Sequence, residues 1–238
     1  MANDRPKLGI LGGMGPQATL ELCQRIVDYT AADRDQDHIP TLIYNDTWIP
    51  DRTGAILGGD AQRCYEALLT GGRVLEEAGC SILAIPCNTS HYFAARLQEE
   101  LGGMKLLHMV RESAAALARR GCRRVGVLAT DGTVRTGVYQ RELQALGIEC
   151  PPLPEEIQRR VMSIIYGEIK RGRRGTPEEF VPIDRAVREE LGCDGAVLGC
   201  TELSVFRTFH GLPGFYLDAM DVLARRCVTV CGYPLRER

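Results

Sequence analysis

Ala84-Ile85-Pro86-Cys87-Asn88-Thr89-Ser90 carries an apolar run into a cysteine and then into amide and hydroxyl residues, and Val197-Leu198-Gly199-Cys200-Thr201-Glu202-Leu203 repeats the arrangement far along the chain. A short apolar run bounded this way reads as a buried strand, and the polar residues after it read as the turn into a helix. Free backbone N–H groups at such a helix start favour negative charge. Strand signals recur outward from these two points. Lys7 to Leu11 runs into a glycine turn, with Pro16 suited to open a helix reaching about Ala31. Thr41 to Asn45 is a second strand, Ala61 to Ala78 a helix, Ser81 to Pro86 a strand and His91 to Leu101 a helix. Leu106 to Met109 is a shorter strand, followed by an Ala- and Arg-rich helix through Arg120.

The pattern then begins again. Arg124 to Ala129 reads as a strand, Val134 to Leu146 as a helix and Ile148 to Pro151 as a short strand. Glu155 to Lys170 is an amphipathic helix, Thr176 to Leu191 another helix, and Ala196 to Leu198 a strand. The interval from Leu11 to Cys87, 76 positions, is close to the 72 from Leu128 to Cys200, which suggests an internal duplication. Alternating strands and helices give parallel sheets covered on both faces, with ligands at the C-terminal strand ends. The expected architecture is therefore α/β, with two pseudo-symmetric lobes, each a mostly parallel sheet flanked by helices, and an active site in the cleft between them. Residues 1–112 with 211–238 form the expected N-terminal lobe and 113–210 the C-terminal lobe. The segment from Gly214, with a strand from Phe215 to Leu217 and a helix to about Val230, is assigned to the first lobe.

The 238 residues carry 29 basic and 31 acidic side chains, and this balance gives no basic excess to drive binding to nucleic acid. Residues 1–6 lack the apolar core of an export leader, and no run approaches the roughly 20 apolar residues that span a bilayer. A cytoplasmic location, no membrane and a small-molecule partner are the expectations. The ten cysteines are scattered and form no CxxC pair, so reduced thiols are expected. Cys87 and His91 have i,i+4 spacing, but with four histidines in all no second ligand pair matches, and no metal is expected.

Chemistry concentrates on Cys87 and Cys200. A helix start lowers a thiol's pKa, so thiolate and thiol can coexist at two such positions, one taking a proton from carbon and the other returning one to the opposite face. That is the logic of a racemase working without a cofactor. The bland alternative is a pair of buried strand-end cysteines, or a redox disulfide. Gly13-Met14-Gly15 with Ala18 also fits a dinucleotide fingerprint, with Asp46 placed to hold a ribose, so an NAD-dependent enzyme stands as a rival. Pyridoxal phosphate needs a lysine, and only Lys7, Lys105 and Lys170 occur. Lys170 follows Tyr166 by four residues and reads as half of a carboxylate-binding pair, or as an ordinary helix-terminal lysine. Arg52, in the Pro-fixed loop after the second strand, can offer its planar fork to a carboxylate, or pair with Asp51 in solvent. Thr130 to Thr133 reads as a turn and helix cap, His91 as a satisfied helix histidine, and Glu202 as a first-turn dipole partner.

Taken together, Gly9 to Pro16, Ile49 to Arg52, Pro86 to Thr89, Leu128 to Thr133 and Gly199 to Glu202 resemble, in order, the motifs of the aspartate/glutamate racemase family, most of all its aspartate racemase branch. The resemblance covers nearly the whole chain. It implies two α/β lobes, no cofactor, a homodimer, and racemisation of a dicarboxylic amino acid by two bases. It further implies that Cys87 handles the proton of the D-enantiomer and Cys200 that of the L-enantiomer. Arg52 and Lys170 match carboxylate anchors with Tyr166 beside them. Met14, Asn88, Thr89, Thr201 and Glu202 fall among the substrate-binding positions. Aspartate is the expected substrate, with glutamate or a broader amino acid range as the alternative. A two-lobed amino acid sensor without turnover is the non-enzymatic one.

Overall fold

The computed structural model describes residues 5–237, so most of the N-terminal stretch read for an export leader lies outside the described residues. The chain divides into two compact units, Met1–Met109 with Met220–Arg238, and Val110–Ala219. Among the described residues no helix is long and apolar enough to cross a membrane.

The first unit holds four parallel strands, β1 (Leu8–Gly12), β2 (Thr41–Asn45), β3 (Ile82–Ala84) and β4 (Lys105–Leu106), in the order β2-β1-β3-β4. Every residue of β1 and β3 is buried, which is why both read as continuous apolar runs, whereas the edge strand β2 is largely exposed. Helix Pro16–Tyr29 starts on the proline, whose missing N–H would have had no intrahelical partner there, and turns Leu22, Ile26 and Tyr29 inward. Helix Ala61–Glu77 buries Leu68 and Leu75 in the same core. The glycine turn after β1 has a packing cause. Gly13 has φ +93°, and a Cβ there would stand 2.0 Å from the carbonyl oxygen of Asp46, at the end of β2. Asp46 itself uses Oδ1 to accept from Trp48 N (2.9 Å), closing the turn that follows. Gly13, the first glycine of the dinucleotide-like pattern, is thus accounted for by backbone meeting backbone.

The second unit holds β5 (Val125–Leu128), β6 (Gly195–Leu198) and β7 (Tyr216–Asp218), parallel in the order β5-β6-β7. Four sequence expectations are corrected here. The strand near residue 216, assigned to the first lobe, pairs with β6. Helix Thr201–His210 between them makes an ordinary parallel crossover, and only the following helix, Ala219–Val230, joins the first unit. There Asp221 accepts from Arg25 (2.8 Å) and from the Tyr29 hydroxyl (2.5 Å). The strand expected at 148–151 reduces to a single bridge, Arg124 to Glu149, because Pro151 and Pro152 follow at once and can donate nothing to a ladder. The helix expected from Val134 to Leu146 is two helices, Asp131–Thr136 and Val138–Gln144, broken at Gly137 with φ +67°. The helix expected through Lys170 is α-helical only over Glu155–Met162 and widens into a π-turn over Ser163–Glu168 before a 3-10 turn at Ile169–Arg171.

The resulting sheets correspond. In each, the strand that ends in a cysteine turn, β3 or β6, lies beside the strand that ends in a Gly- or Thr-rich turn, β1 or β5.

Candidate active site

Cys87 sits three residues past β3 in a tight turn where its N–H donates to the carbonyl of Ile85 (2.8 Å). The turn is pinned from behind. His91 Nδ1 lies 2.9 Å from the Cys87 carbonyl oxygen and Nε2 accepts from the N–H of Met109 (3.0 Å), so the ring is the neutral Nδ1–H tautomer. Burial, with His108 adding to it, lowers the His91 pKa to about 4 against the opposing pull of its backbone bonds. The reading of His91 as a satisfied histidine understated it, because its partner is the backbone of a candidate catalytic residue.

Arg52 departs from its expected setting. It opens a helix, Arg52–Gly58, which the sequence reading left as loop, and Asp51 caps that helix by accepting from Gly54 N (2.7 Å). The arginine is 7% exposed. Its Nη1 donates to the carbonyls of Pro50 (2.9 Å) and Ile49 (3.3 Å), and its Nη2 donates to that of Met14 (3.0 Å). The two outer nitrogens expected to grip a carboxylate thus hold three backbone carbonyls. Nε has no hydrogen-bond partner within the usual geometric limits, and the Cys87 sulfur lies beside the guanidinium. Burial pulls the guanidinium's pKa down, but Cys87, Asp51 and Cys64 outweigh that and leave it raised. Cys64, buried in the same cluster, has its thiol pushed up to about 11, mainly by burial. Met14 completes this corner, its sulfur accepting from Ser90 Oγ (3.3 Å), while Asn88 and Thr89 lie buried in the turn and at the start of the 3-10 turn Thr89–Phe93. Met14, Arg52, Cys87, Asn88 and Thr89 are therefore gathered within the first unit. Ser90 is a neighbour that the sequence reading did not pick out.

Cys200 is held differently. It caps helix Thr201–His210 from extended backbone, and its carbonyl accepts from Leu203 N (3.0 Å). Gly199 before it lets the chain pass Tyr139, since a Cβ there would meet the Tyr139 ring at 3.0 Å. The thiol donates to Glu202 Oε2 (2.9 Å), and Lys170 Nζ donates to the other carboxylate oxygen, Oε1 (2.9 Å). Thr201 Oγ1 stands 3.5 Å from Oε2, and the Tyr166 ring centroid is 5.4 Å from Lys170 Nζ. Burial first, then the Glu202 carboxylate, push the Cys200 thiol well above its ordinary range, while Lys170 pulls it down. The helix start was expected to acidify this thiol; desolvation and an adjacent carboxylate overcome it. Tyr166, Lys170, Cys200, Thr201 and Glu202 thus converge within the second unit. Lys170 meets a protein carboxylate, and Glu202 is aimed at the thiol and the ammonium. Tyr139, also near the thiol, was missed, since it lies on an element far away in sequence. Thr130 caps its helix as expected, accepting from Thr133 N (3.3 Å). Among the described residues no group of three or more His, Cys, Asp or Glu side chains converges as a metal site.

Comparison with known proteins bears on the family and the fold. The Asp/Glu/Hydantoin racemase family model matches residues 11–227. The broad specificity amino-acid racemase RacX of Bacillus subtilis (strain 168) is 31% identical over 146 residues, 60% of this chain and 62% of that protein. The glutamate racemase of Desulforudis audaxviator (strain MP104C) is 29% identical over 54% of this chain and 46% of its own length. The matched regions thus span about half to three-fifths of these curated relatives. Among solved structures, the Picrophilus torridus aspartate racemase superposes with a TM-score of 0.78 at 28% identity, covering 97% of this chain and 96% of that one. The glutamate racemase of Francisella tularensis subsp. tularensis SCHU S4, in complex with D-glutamate, shares the fold at a TM-score of 0.70 and 16% identity, over 95% of this chain and 81% of that one.

Proposed function

This chain belongs to the Asp/Glu/Hydantoin racemase family, and we propose that it interconverts the enantiomers of an acidic amino acid, aspartate first, using Cys87 and Cys200 as its two bases. One observation carries the reading. Two thiols end equivalent strands in two like sheets and are set beside opposite charges, the Arg52 guanidinium for Cys87 and the Glu202 carboxylate for Cys200. A two-base racemase needs one sulfur without a proton and one with it, and burial with the Glu202 carboxylate holds the proton on Cys200. In the proposed reaction the Cys87 sulfur removes the α-hydrogen of the D-enantiomer, the C–H electron pair remains on carbon, and Cys200 supplies a proton to the opposite face. The reverse direction exchanges the roles.

Backbone N–H groups at the start of helix Thr201–His210, with the Asn88, Thr89 and Thr201 side chains, are the proposed holders of the amino acid's charged groups. Arg52 contributes by fixing Met14 and the 49–50 loop around the sulfur, in place of the carboxylate grip expected from sequence. Similarity to an aspartate racemase along almost the full chain supports aspartate. The match to a broad-specificity racemase favours a second reading, a wider amino acid range on the same two thiols. The proposal includes a cytoplasmic, homodimeric enzyme acting without metal or organic cofactor.

The test is incubation of purified protein with a panel of L- and D-amino acids in deuterated water, without added cofactor, followed by chiral chromatography and mass spectrometry. Aspartate should racemise with one deuterium at the α-carbon. Retention of the α-hydrogen and configuration by every amino acid in the panel would end the reading.

A further inference from the structure

The two cysteine turns differ in how the cysteine's own carbonyl is held. At Cys200 the helix that follows supplies the donor, Leu203 N at 3.0 Å. At Cys87 the chain enters the 3-10 turn Thr89–Phe93, whose tighter i to i+3 bonding sends the His91 N–H to the Asn88 carbonyl (3.0 Å), one residue past the cysteine. The Cys87 carbonyl takes its bond from the His91 ring instead, with Nδ1 at 2.9 Å. We propose that His91 is a positioning residue for the Cys87 half of the reaction: its ring stands in for the backbone donor, fixes the rotation of the Cys87–Asn88 peptide, and so holds the sulfur where it meets the α-hydrogen. The inference rests on the racemase reading and deepens it, giving a task in that reaction to a side chain that acts only through the backbone.

Covalent geometry carries the effect from ring to sulfur. A trans peptide is planar, so its C=O and N–H point in opposite directions and turn as one. Residue 91 holds two successive peptides, the Cys87–Asn88 unit through its ring and the Asn88–Thr89 unit through its N–H. On the other side, the Cys87 N–H is tied to the Ile85 carbonyl at 2.8 Å. With the peptides on both sides of Cys87 fixed, χ1 is the torsion left to the sulfur, and it offers only staggered positions. Moving a reacting group by about 1 Å costs about 100-fold in rate, so release of the Cys87 carbonyl is enough to be read in turnover.

The ring is itself firmly held. Nε2 accepts from Met109 N (3.0 Å) at the start of helix Met109–Arg119, and the residue is 4% exposed, its ring beside that of His108 with centroids 5.1 Å apart. The other contact of Nε2, 3.3 Å to the Leu107 carbonyl, is longer and is left unused by the Nδ1–H tautomer. The opposite tautomer would set lone pair against lone pair at 2.9 Å on the Cys87 side and N–H against N–H at 3.0 Å on the Met109 side. Burial first, then His108, lowers the ring's pKa to about 4, so it keeps this neutral arrangement at neutral pH. All of these groups lie in the first unit.

Two substitutions separate the ring's two bonds. In His91→Asn the amide nitrogen falls near the place of Nδ1 and still donates to the Cys87 carbonyl, while the bond from Met109 is lost. In His91→Gln the amide oxygen falls near Nε2 and still accepts from Met109, while the Cys87 carbonyl loses its donor. Each is placed in full-length protein carrying Cys200→Ser, where exchange of the D-aspartate α-hydrogen in deuterated water reports Cys87 alone. Each is also placed in protein carrying Cys87→Ser, where exchange of L-aspartate reports Cys200. His91→Gln should slow the D exchange by about 30- to 100-fold and change the L exchange by less than about twofold, whereas His91→Asn should change either by less than about threefold. Iodoacetamide labelling, with both cysteines present and Cys200 as the internal control, should change in rate at Cys87 by about fivefold or more in His91→Gln and not in His91→Asn. Equal slowing of the two exchanges in His91→Gln would overturn the proposal, since loss of a merely structural bond is felt at both sulfurs. So would a slow D exchange in His91→Asn with a fast one in His91→Gln, which would give the role to the Met109 bond. If His91→Gln does not fold, His91→Asn decides alone: folded protein that keeps the D exchange supports the proposal, and folded protein that has lost it ends it. A wild-type protein inactive on every amino acid would refute the racemase reading instead, while the ratio of Cys87 to Cys200 labelling would still report whether His91 sets the place of the sulfur.

Discussion

The turn around Cys87 and the turn around Cys200 come from similar sequences and occupy equivalent strand ends, yet they solve opposite electrostatic problems. Cys87 is backed by a buried arginine whose outer nitrogens are committed to backbone carbonyls, and by a neutral histidine that fixes its own carbonyl. Cys200 instead donates its proton to a carboxylate that a lysine holds from the far side. The lesson is that a duplicated backbone need not carry duplicated chemistry. A strand ending in a cysteine sets where each sulfur lies, and residues from elsewhere in each unit set the charge it meets.

The largest way to break the comparison is to delete either sulfur. Cys87→Ser and Cys200→Ser should each lower racemisation about 1000-fold, measured by chiral chromatography. Equivalent sulfurs would lose both functions alike. Distinct ones should leave exchange of a single enantiomer in deuterated water, L for the Cys87 variant and D for the Cys200 variant.

Removing the cations sharpens the contrast. Arg52→Ala strips three carbonyls of their buried donor and should cost about 3 kcal/mol in urea unfolding. Lys170→Ala should cost less, about 1 kcal/mol, because the ammonium is one-fifth exposed and water replaces part of its bond. Equal losses would mean that the two cations are alike after all.

The histidine behind Cys87, which has no counterpart behind Cys200, makes a pH-dependent difference. Its pKa is about 4 when folded and 6.5 as the ordinary value, so the unfolded chain binds the proton first as pH falls. The stability it protects is complete above pH 6.5 and is lost progressively as pH falls through 6.5 toward 4, by up to about 3 kcal/mol. Urea midpoints across that range should fall more steeply for the wild type than for His91→Asn; parallel curves would show that His91 is not the buried neutral ring described above.

The smallest effect distinguishes the glycines. Gly13→Ala must accept both a positive φ and a Cβ against the Asp46 carbonyl, and should cost more than about 1 kcal/mol. Gly199→Ala, with no positive φ to accommodate, meets the Tyr139 ring at 3.0 Å, Ala129 at 3.2 Å and the Leu128 carbonyl at 3.3 Å, and should cost less in the same assay.

Much of this was legible in the residues. The strands near Leu8, Ile82, Val125 and Gly195 stood out because buried parallel strands are uninterrupted apolar runs, and the Pro16 helix start because proline suits the first turn of a helix. Helix Arg52–Gly58 was not legible, since a seven-residue helix with three glycines or small residues carries little periodic signal and its start depends on the Asp51 cap. Nor was the widening at Ser163–Glu168, where the apolar period continues through Ile164 and Ile165 as it would in an α-helix. Strand β7 was seen but misplaced, because a strand's own residues do not say which sheet edge will receive it.

Taken by itself, the chain determined that two strand-end cysteines stand in like settings within two α/β units, since apolar runs, prolines and glycines act locally. Only the tertiary structure decided what each sulfur faces: Arg52, 35 positions before Cys87, and Lys170, 30 before Cys200, reach their partners across intervening strands and helices. Burial then sets the strength of those meetings, because the interaction of two charges depends on the water excluded around them, and no local stretch of sequence fixes that.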